Sequence, residues 1–253
     1  MNNYVEKRCN MRFLIKFSYD GSLYCGYQSQ PDLDTIQDRL ETALKNINNG
    51  KKTTITATGR TDKGVHALCQ YAHADLSINI TEQKLKRALN SNLPPDIHVI
   101  ETKIVPDDFH ARYNVKSKEY KYYINLGEYN PLERHYVFQY NYKLNIQAMK
   151  EAIKVFIGTH DFRAFVTDNK EKENCIRTIF RASIERKCDK IEITFKGDGF
   201  LRYQIRNMVG MLIQVGENKI STEDVEKILA SKDRTNSGKT APPEGLYLTK
   251  VMY

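Results

Sequence analysis

The order of strands and helices constrains this chain most, because the sequence predicts the same order twice. In the first half, alternating apolar residues predict strands, and apolar residues that recur at helical spacing predict helices. These segments lie at 12–19, 36–47, 53–58, 68–76, 81–90 and 97–105. Asp34 is placed to cap the first helix. The resulting order, strand-helix-strand-strand-helix-strand, is that of a ferredoxin-like unit.

The second half repeats this order more loosely. Its predicted strands lie at 119–126, 176–186, 190–196 and 245–253, and its predicted helices lie at 146–157, at 205–213 and after Ser221. The two halves share an order of elements and no visible sequence repeat. We therefore predict an α+β protein built from two ferredoxin-like halves.

Composition narrows the class of protein further. The chain has 253 residues, of which 40% are hydrophobic, and this is enough for one or two domains with a real core. A net charge of +8 favours a polyanionic partner, although a solvated basic surface explains it equally well. No apolar run approaches the roughly 20 residues that a membrane helix needs. The five cysteines form no Cys-x-x-Cys pair, which favours reduced thiols in the cytoplasm.

The run GRTDKGVHA at 59–67 is the strongest candidate for a catalytic site. It places Asp62 in a tight loop bounded by glycines. In an extended backbone, Arg60 and Asp62 point the same way, and a neighbouring arginine keeps an aspartate ionised. Such an aspartate could serve as a nucleophile or a base. Its residue type alone equally fits an ordinary turn, in which the side chain bonds to its own backbone.

The whole run resembles the signature of the TruA family of tRNA pseudouridine synthases. Other segments resemble that family in the same order along the chain. They are YDG at 19–21, GYQ at 26–28, SKEYKY at 117–122, FIGTHDF at 156–162, GFL at 199–201, IRNMVG at 205–210 and APPEGLYL at 241–248. Two positions depart from the family pattern: Tyr27 stands where tryptophan is usual, and Arg202 where an aromatic or polar residue is often seen.

The resemblance implies a fold and an activity. The two halves would share one continuous, mostly antiparallel sheet, with the active site in the cleft between them. The domains would be an extension at 1–10, an N-terminal domain at 11–112 and a C-terminal domain at 113–253. The enzyme would isomerise uridine to pseudouridine at positions 38, 39 and 40 of the tRNA anticodon arm. It would act in the cytoplasm as a homodimer, with a tRNA lying across both subunits.

The resemblance also implies three principal site residues. Asp62 corresponds to the catalytic nucleophile, Tyr120 to the tyrosine that stacks on uracil, and Arg206 to the arginine that pairs with the aspartate. Without the resemblance, Tyr120 would be a core residue of a strand and Arg206 an ordinary surface arginine. The target uridine must leave its stack to reach Asp62.

Four further residues complete the implied site. Arg60 would hold the flipped-out RNA or fill the space that the base leaves, and Leu246 would wall the pocket. His110 and Arg112 would bind RNA phosphate. The alternative is that Leu246 belongs to the core and that the two basic residues are solvated.

The reaction itself needs few groups. It breaks the bond between ribose and uracil N1, turns the base and rejoins it through C5. Because nothing is oxidised or hydrolysed overall, it requires no nucleotide cofactor and no metal. The aspartate of the family is thought either to form a covalent adduct or to abstract a ribose proton, and the sequence leaves both routes open.

Motifs for other chemistries are incomplete. The run GKT at 238–240 imitates the end of a phosphate-binding loop, but Asp233 stands where that loop needs glycine. His66, Cys69 and His73 have metal-ligand spacing only on a helix, and the segment is predicted to be a strand. Two alternatives to a tRNA enzyme remain: a paralogue that acts on ribosomal RNA, and a non-catalytic RNA-binding module.

Overall fold

The first half of the chain has the predicted order of elements. The computed structural model describes residues 10–166 and 174–253, so the predicted extension, except for residue 10, lies outside the described residues. The elements are β1 (Met11–Tyr19), α1 (Ile36–Ile47), β2 (Thr56–Ala57), β3 (His66–Leu76), α2 (Glu82–Asn92) and β4 (Ile97–Val105).

The second half contains the predicted elements and some additional short ones. They are β5 (Ser117–Asn125), β6 (Phe138–Gln139), α3 (Ile146–Ala152), β7 (Gly158–Asp161), β8 (Ile176–Lys187), β9 (Lys190–Gly197), α4 (Gln204–Gly216), α5 (Thr222–Ser231) and β10 (Leu246–Met252). None of the helices in the described ranges is both long and apolar enough to cross a membrane.

One sheet runs through both halves. Its strand order is β4-β1-β3-β10-β5-β9-β8-β7, with β2 paired to β3 and β6 paired to β5. Neighbouring strands are antiparallel, except that β10 runs parallel to β3 and β6 parallel to β5. The prediction of an α+β fold with a continuous, mostly antiparallel sheet is therefore confirmed.

The strand β10 joins the two halves. It pairs with β5 over most of its length, from Leu246 opposite Tyr122 to Met252 opposite Ser117. On its other side it pairs with β3 at only two positions, where Tyr247 and Leu248 lie opposite the first residues of that strand. This seam lies at the start of β3, directly after the loop that carries Asp62.

Two local predictions were wrong. The cap of α1 is Thr35, whose hydroxyl accepts the N–H of Asp38, while Asp34 forms an ion pair with Arg39. The strand β2 is shorter than the predicted 53–58, because the N–H of Ile55 donates to a side-chain carboxylate of α1 instead of a neighbouring strand. In the first case the residue directly before the helix provides the cap, and in the second a side chain of α1 takes the backbone bond.

Helix α4 is buried on nearly every side, and Arg206 is its only charged residue. The segment that precedes β10 packs against it, so closely that a Cβ atom at Gly210 would overlap the carbonyl oxygen of Lys239. In the same contact, the N–H of Ala241 donates to the carbonyl of Arg206 at 3.0 Å. Gly210 therefore allows this segment to reach the first turn of α4.

Replacing Gly210 with alanine is expected to lower the free energy of unfolding by about 1–3 kcal/mol, because the added methyl must displace backbone. This range is the net loss, after the better helix propensity of alanine, worth about 1 kcal/mol, is taken into account. Urea denaturation measures the change. Gly199→Ala is the matched control, since its methyl would meet the side chain of Arg177 at an ordinary 3.6 Å. Equal stability of both variants would contradict the prediction.

Candidate active site

The loop that carries Asp62 is held by the segment around Gly26. The N–H of Tyr27 donates to the carbonyl of Thr61 at 3.1 Å, and the N–H of Val65 closes a turn on the carbonyl of Asp62 at 3.2 Å. Gly26 has a φ of +96°, and a Cβ atom there would stand 3.0 Å from the Thr61 oxygen. Only glycine combines this conformation with this approach, so the two segments form one unit.

Successive residues of the loop point in different directions. Thr61 is buried, and its hydroxyl lies 2.8 Å from that of Tyr19. Arg60 is exposed, whereas Asp62 is only partly exposed and faces a cleft. The ring of Tyr27 is buried beneath the loop beside Phe17. The position where the family usually has tryptophan thus belongs to the core and not to the cleft.

Arg206 reaches Asp62 from the second half of the chain. Its Nη1 donates to Oδ2 of Asp62 at 3.1 Å, and its Nε donates to the carbonyl of Ala241 at 2.8 Å. Both side chains are largely buried, with 12% of Arg206 and 16% of Asp62 exposed. The guanidinium is thus fixed by backbone on one side and presents its other side to the carboxylate.

The pKa of Asp62 reflects two opposed effects. Burial raises this pKa above the ordinary value for aspartate, and the charges of Arg206 and, more weakly, Arg202 lower it. Burial is the larger effect. Among the described residues, the cation in contact with the carboxylate is Arg206, and the neighbouring Arg60 points to solvent.

Tyr120 and Leu246 are both buried, and neither is among the residues that line the cleft at Asp62. Tyr120 lies on β5 with 7% of its surface exposed, and its ring meets Phe200 edge-on at 5.3 Å. Burial is the largest cause of its raised pKa, and the nearby charge of Asp62 contributes to the same shift. Leu246 is the first residue of β10 and is paired opposite Tyr122. The structure therefore brings together Asp62, Arg206 and Tyr120.

The cleft at Asp62 has a volume of about 430 Å³ and is lined from both halves. Sequence reasoning identified two of its residues, Asp62 and Arg206. Other lining residues were missed, among them Arg134, His135, Tyr203 and Glu244. Burial raises the pKa of Glu244, and the charges of Arg206 and His135 oppose this shift. A polar cleft with two carboxylates and several cations suits a charged, hydrogen-bonding ligand.

Tyr203 is the most unusual of the missed residues. Its φ of 62° is left-handed, which costs a non-glycine residue about 1–2 kcal/mol. The guanidinium groups of Arg202 and Arg206 lie 5.1 and 5.2 Å from the centre of its ring. Tyr203 directly precedes α4 and is not helical, so helical spacing in the sequence gives no signal for it. The ring helps to fix the arginine that meets Asp62.

The histidines with metal-ligand spacing are engaged by backbone groups. Nδ1 of His66 accepts the N–H of Gly21 at 3.1 Å, so Nε2 is the nitrogen that donates to the carbonyl of His135 at 2.8 Å. Burial lowers the pKa of His66. Nδ1 of His73 accepts the N–H of Ala111 at 3.1 Å. The described residues contain no group of three His, Cys, Asp or Glu side chains that could hold a metal ion.

His110 and Arg112 form a separate cluster. The ring of His110 stacks on Tyr113 at 4.3 Å, and the guanidinium of Arg112 lies 6.0 Å from the centre of the same ring. The charge of Arg112 acts on Lys118, a partly buried lysine of β5 that precedes Tyr120 by two residues. Sequence reasoning did not single out Lys118 as a site residue.

Comparison with known proteins gives a consistent result. A family model described as "tRNA pseudouridine synthase" matches residues 16–114 and 152–253. A protein of Streptococcus pneumoniae (strain 70585) named tRNA pseudouridine synthase A is 42% identical over 245 residues, which cover 96% of this chain and 98% of that protein. A protein of the same name from Streptococcus pyogenes serotype M49 (strain NZ131) is 43% identical over 246 residues, with coverage of 96% and 99%.

Proposed function

Because the chain belongs to the tRNA pseudouridine synthase family, we propose that it isomerises uridines 38, 39 and 40 of the tRNA anticodon arm, with Asp62 as the nucleophile. The observation that carries the assignment to Asp62 is its ion pair with Arg206 across the cleft. The pair joins one carboxylate from the first half of the chain to one cation from the second, within a space open to a nucleotide.

The environment of Asp62 suits either route of the reaction. Attack on the ribose and abstraction of a ribose proton both need the ionised carboxylate. Burial removes water from around this carboxylate and makes it more reactive. Arg206 favours its ionised form and fixes its direction. When no substrate is present, the positive charge of Arg206 balances the negative charge of the ionised Asp62.

The other proposed roles are those that the resemblance to the family implies. Tyr120 stacks on the uracil, an interaction typically worth about 1–3 kcal/mol per base. Leu246 forms the apolar wall beside it. Arg60, exposed at the edge of the loop, holds the RNA from which the base has been flipped. His110 and Arg112 bind backbone phosphate.

We also propose the assembly and the location that the resemblance implies. The two domains, 11–112 and 113–253, share the sheet through β10, and two chains form a homodimer that holds one tRNA across both subunits. The enzyme works in the cytoplasm, where its tRNA substrate is found. Light scattering with and without tRNA tests the assembly, and a monomer at working concentrations would contradict it.

Mapping pseudouridine at single-nucleotide resolution tests the proposed function. An unmodified tRNA with uridine at 38, 39 and 40 is incubated with the enzyme, beside three variants that each carry cytidine at one of these positions. We expect pseudouridine at each remaining uridine and nowhere else. Modification of a ribosomal RNA transcript in place of the tRNA would support the paralogue, and binding without modification would support a non-catalytic module.

A further inference from the structure

We propose that Lys118, Arg112 and Arg177 form a binding site for one phosphodiester of the RNA backbone, adjacent to the nucleotide whose base stacks on Tyr120. The inference rests on the proposed function, because it takes RNA as the ligand. It adds Lys118 and Arg177 to the site and assigns them one particular phosphate.

The position of Lys118 places it next to the bound base. Lys118 and Tyr120 are separated by one residue of β5, so their side chains leave the same face of the sheet. At a strand rise of about 3.3 Å per residue, their Cα atoms are roughly 7 Å apart. This is on the scale of one nucleotide. A base that stacks on Tyr120 therefore brings a phosphate of the same RNA strand towards Lys118.

The ammonium of Lys118 bonds across the boundary between the two halves of the chain. Its Nζ donates to the carbonyl of Thr58 at 2.7 Å, in the segment that leads into the Asp62 loop. Gly59 leaves room for this contact, since a Cβ atom there would stand 3.0 Å from the same Nζ. An ammonium has three donors. The bond to Thr58 uses one and fixes the position from which the others can act.

Two arginines lie near enough to Lys118 for their charges to act on it. Lys118 is opposite Gly197 of β9, and β9 pairs with β8, the strand that carries Arg177. Burial, followed by the charges of Arg112 and Arg177, lowers the pKa of Lys118 to about 8. Arg177 is anchored by Nη1, which donates to the carbonyls of Asn174 and Ile176 at 3.1 and 2.6 Å. In the part of the chain that the structure describes, no carboxylate forms an ion pair with any of the three cations.

The absence of such an ion pair distinguishes this cluster from the arginine at the catalytic aspartate. Cations that converge without an acid repel one another and favour an anion from outside. A backbone phosphodiester is the anion that an RNA substrate supplies, and contacts to the sugar-phosphate backbone fix the register of a protein on a nucleic acid. The cluster therefore fixes the register of the strand, while the neighbouring cleft receives the base.

The test combines a protein variant with single neutral phosphates. The RNA is an anticodon stem-loop in which one phosphate near the target uridine is replaced by methylphosphonate, one position at a time. Affinity is measured with Asp62→Asn protein, to prevent turnover, with and without Lys118→Met. We expect Lys118→Met to weaken binding about tenfold and to reduce the slope of log affinity against log salt by about 1.

The decisive result is non-additivity at one position. A methylphosphonate at the bound phosphate should weaken binding to the protein that retains Lys118 and have little further effect on the Lys118→Met protein. Losses that simply add at every position, or an unchanged salt slope, would overturn the proposal. Lys118→Arg should retain most of the affinity. Lys84→Met, which removes an exposed lysine of α2, should leave the methylphosphonate pattern unchanged.

Two controls separate this proposal from its premises. Thermal unfolding of Lys118→Met shows whether the variant is folded, and coupling to Lys118→Arg keeps the test valid if it is not. Pseudouridine formation by the unaltered enzyme on the unmodified stem-loop tests the proposed function independently. A functional enzyme without coupling at any phosphate would refute only the phosphate site.

Discussion

Replacing Asp62 with asparagine is expected to reduce the rate of pseudouridine formation by at least about a thousandfold, as loss of a nucleophile does in other enzymes. Asparagine keeps the size of the side chain and an oxygen that can accept from Arg206, but it has no negative charge. Affinity for tRNA should stay the same or rise slightly, because one repulsion with phosphate is removed. Release of tritium from C5-labelled uracil in tRNA measures the rate.

The same variant should change the pH dependence of stability in a defined direction. The folded-state pKa of Asp62 is raised above its ordinary value, so the group favours folding at low pH and this contribution is lost as pH rises through the folded pKa. The free energy of unfolding of wild type, relative to Asp62→Asn, should therefore fall as pH increases over that range. Urea denaturation at several pH values measures it.

An exposed aspartate provides the matched control. Asp108→Asn removes the same charge from the surface of the first half and should leave both the rate and the pH profile of stability unchanged. If Asp62→Asn retained more than about a tenth of the wild-type rate, Asp62 could not be the nucleophile.

Replacing Arg206 with glutamine should lower the rate of pseudouridine formation by about 100- to 1,000-fold, the usual effect of removing a fixed electrostatic partner. The acidic limb of the pH–rate profile should also move to higher pH. Arg206 lowers the pKa of Asp62, and without it burial acts unopposed except for the weaker effect of Arg202. Single-turnover rates across the acidic range, at saturating enzyme, measure both effects.

Arg206→Lys separates the charge of this residue from its geometry. Lysine keeps the positive charge, so the acidic limb should stay near its wild-type position. It lacks the planar fork that bonds to Ala241 and Asp62 together, so the maximal rate should still fall. A rate loss in Arg206→Gln that is equal at every pH, with no movement of the limb, would show that Arg206 acts on the RNA and not on Asp62.

Local sequence patterns predicted the fold because they reflect local physics. Alternation and helical spacing identified the main elements of both halves, since burial of one face determines both periodicities. The two errors have different origins. Thr35 directly precedes the first residue of α1 and caps it, which is a local signal that the choice of Asp34 missed. The carboxylate of Glu41 takes the N–H of Ile55 across 14 residues, and this contact of the folded chain is not encoded within a short window.

The site could be predicted from the sequence only in part. The resemblance of short runs proposed Asp62, Tyr120 and Arg206 as site residues. In the structure, Arg206 forms an ion pair with Asp62, and the charge of Asp62 acts on Tyr120. Arg134, His135 and Glu244 reach the cleft through long-range packing, which leaves no mark on local periodicity. Tyr203 owes its position to a left-handed backbone angle. These contributions become visible only when both halves are folded against each other.

The central position of β10 has a consequence for the newly made chain. Translation delivers β3 and the Asp62 loop early, and it delivers β10 only after every other strand. Until β10 inserts, the halves lack the strand that joins them, and the segment that holds Arg206 through Ala241 has no anchor in the sheet. A chain that stops before β10 would therefore have the Asp62 loop and the helix of Arg206 without the strand that lies between β3 and β5 in the sheet.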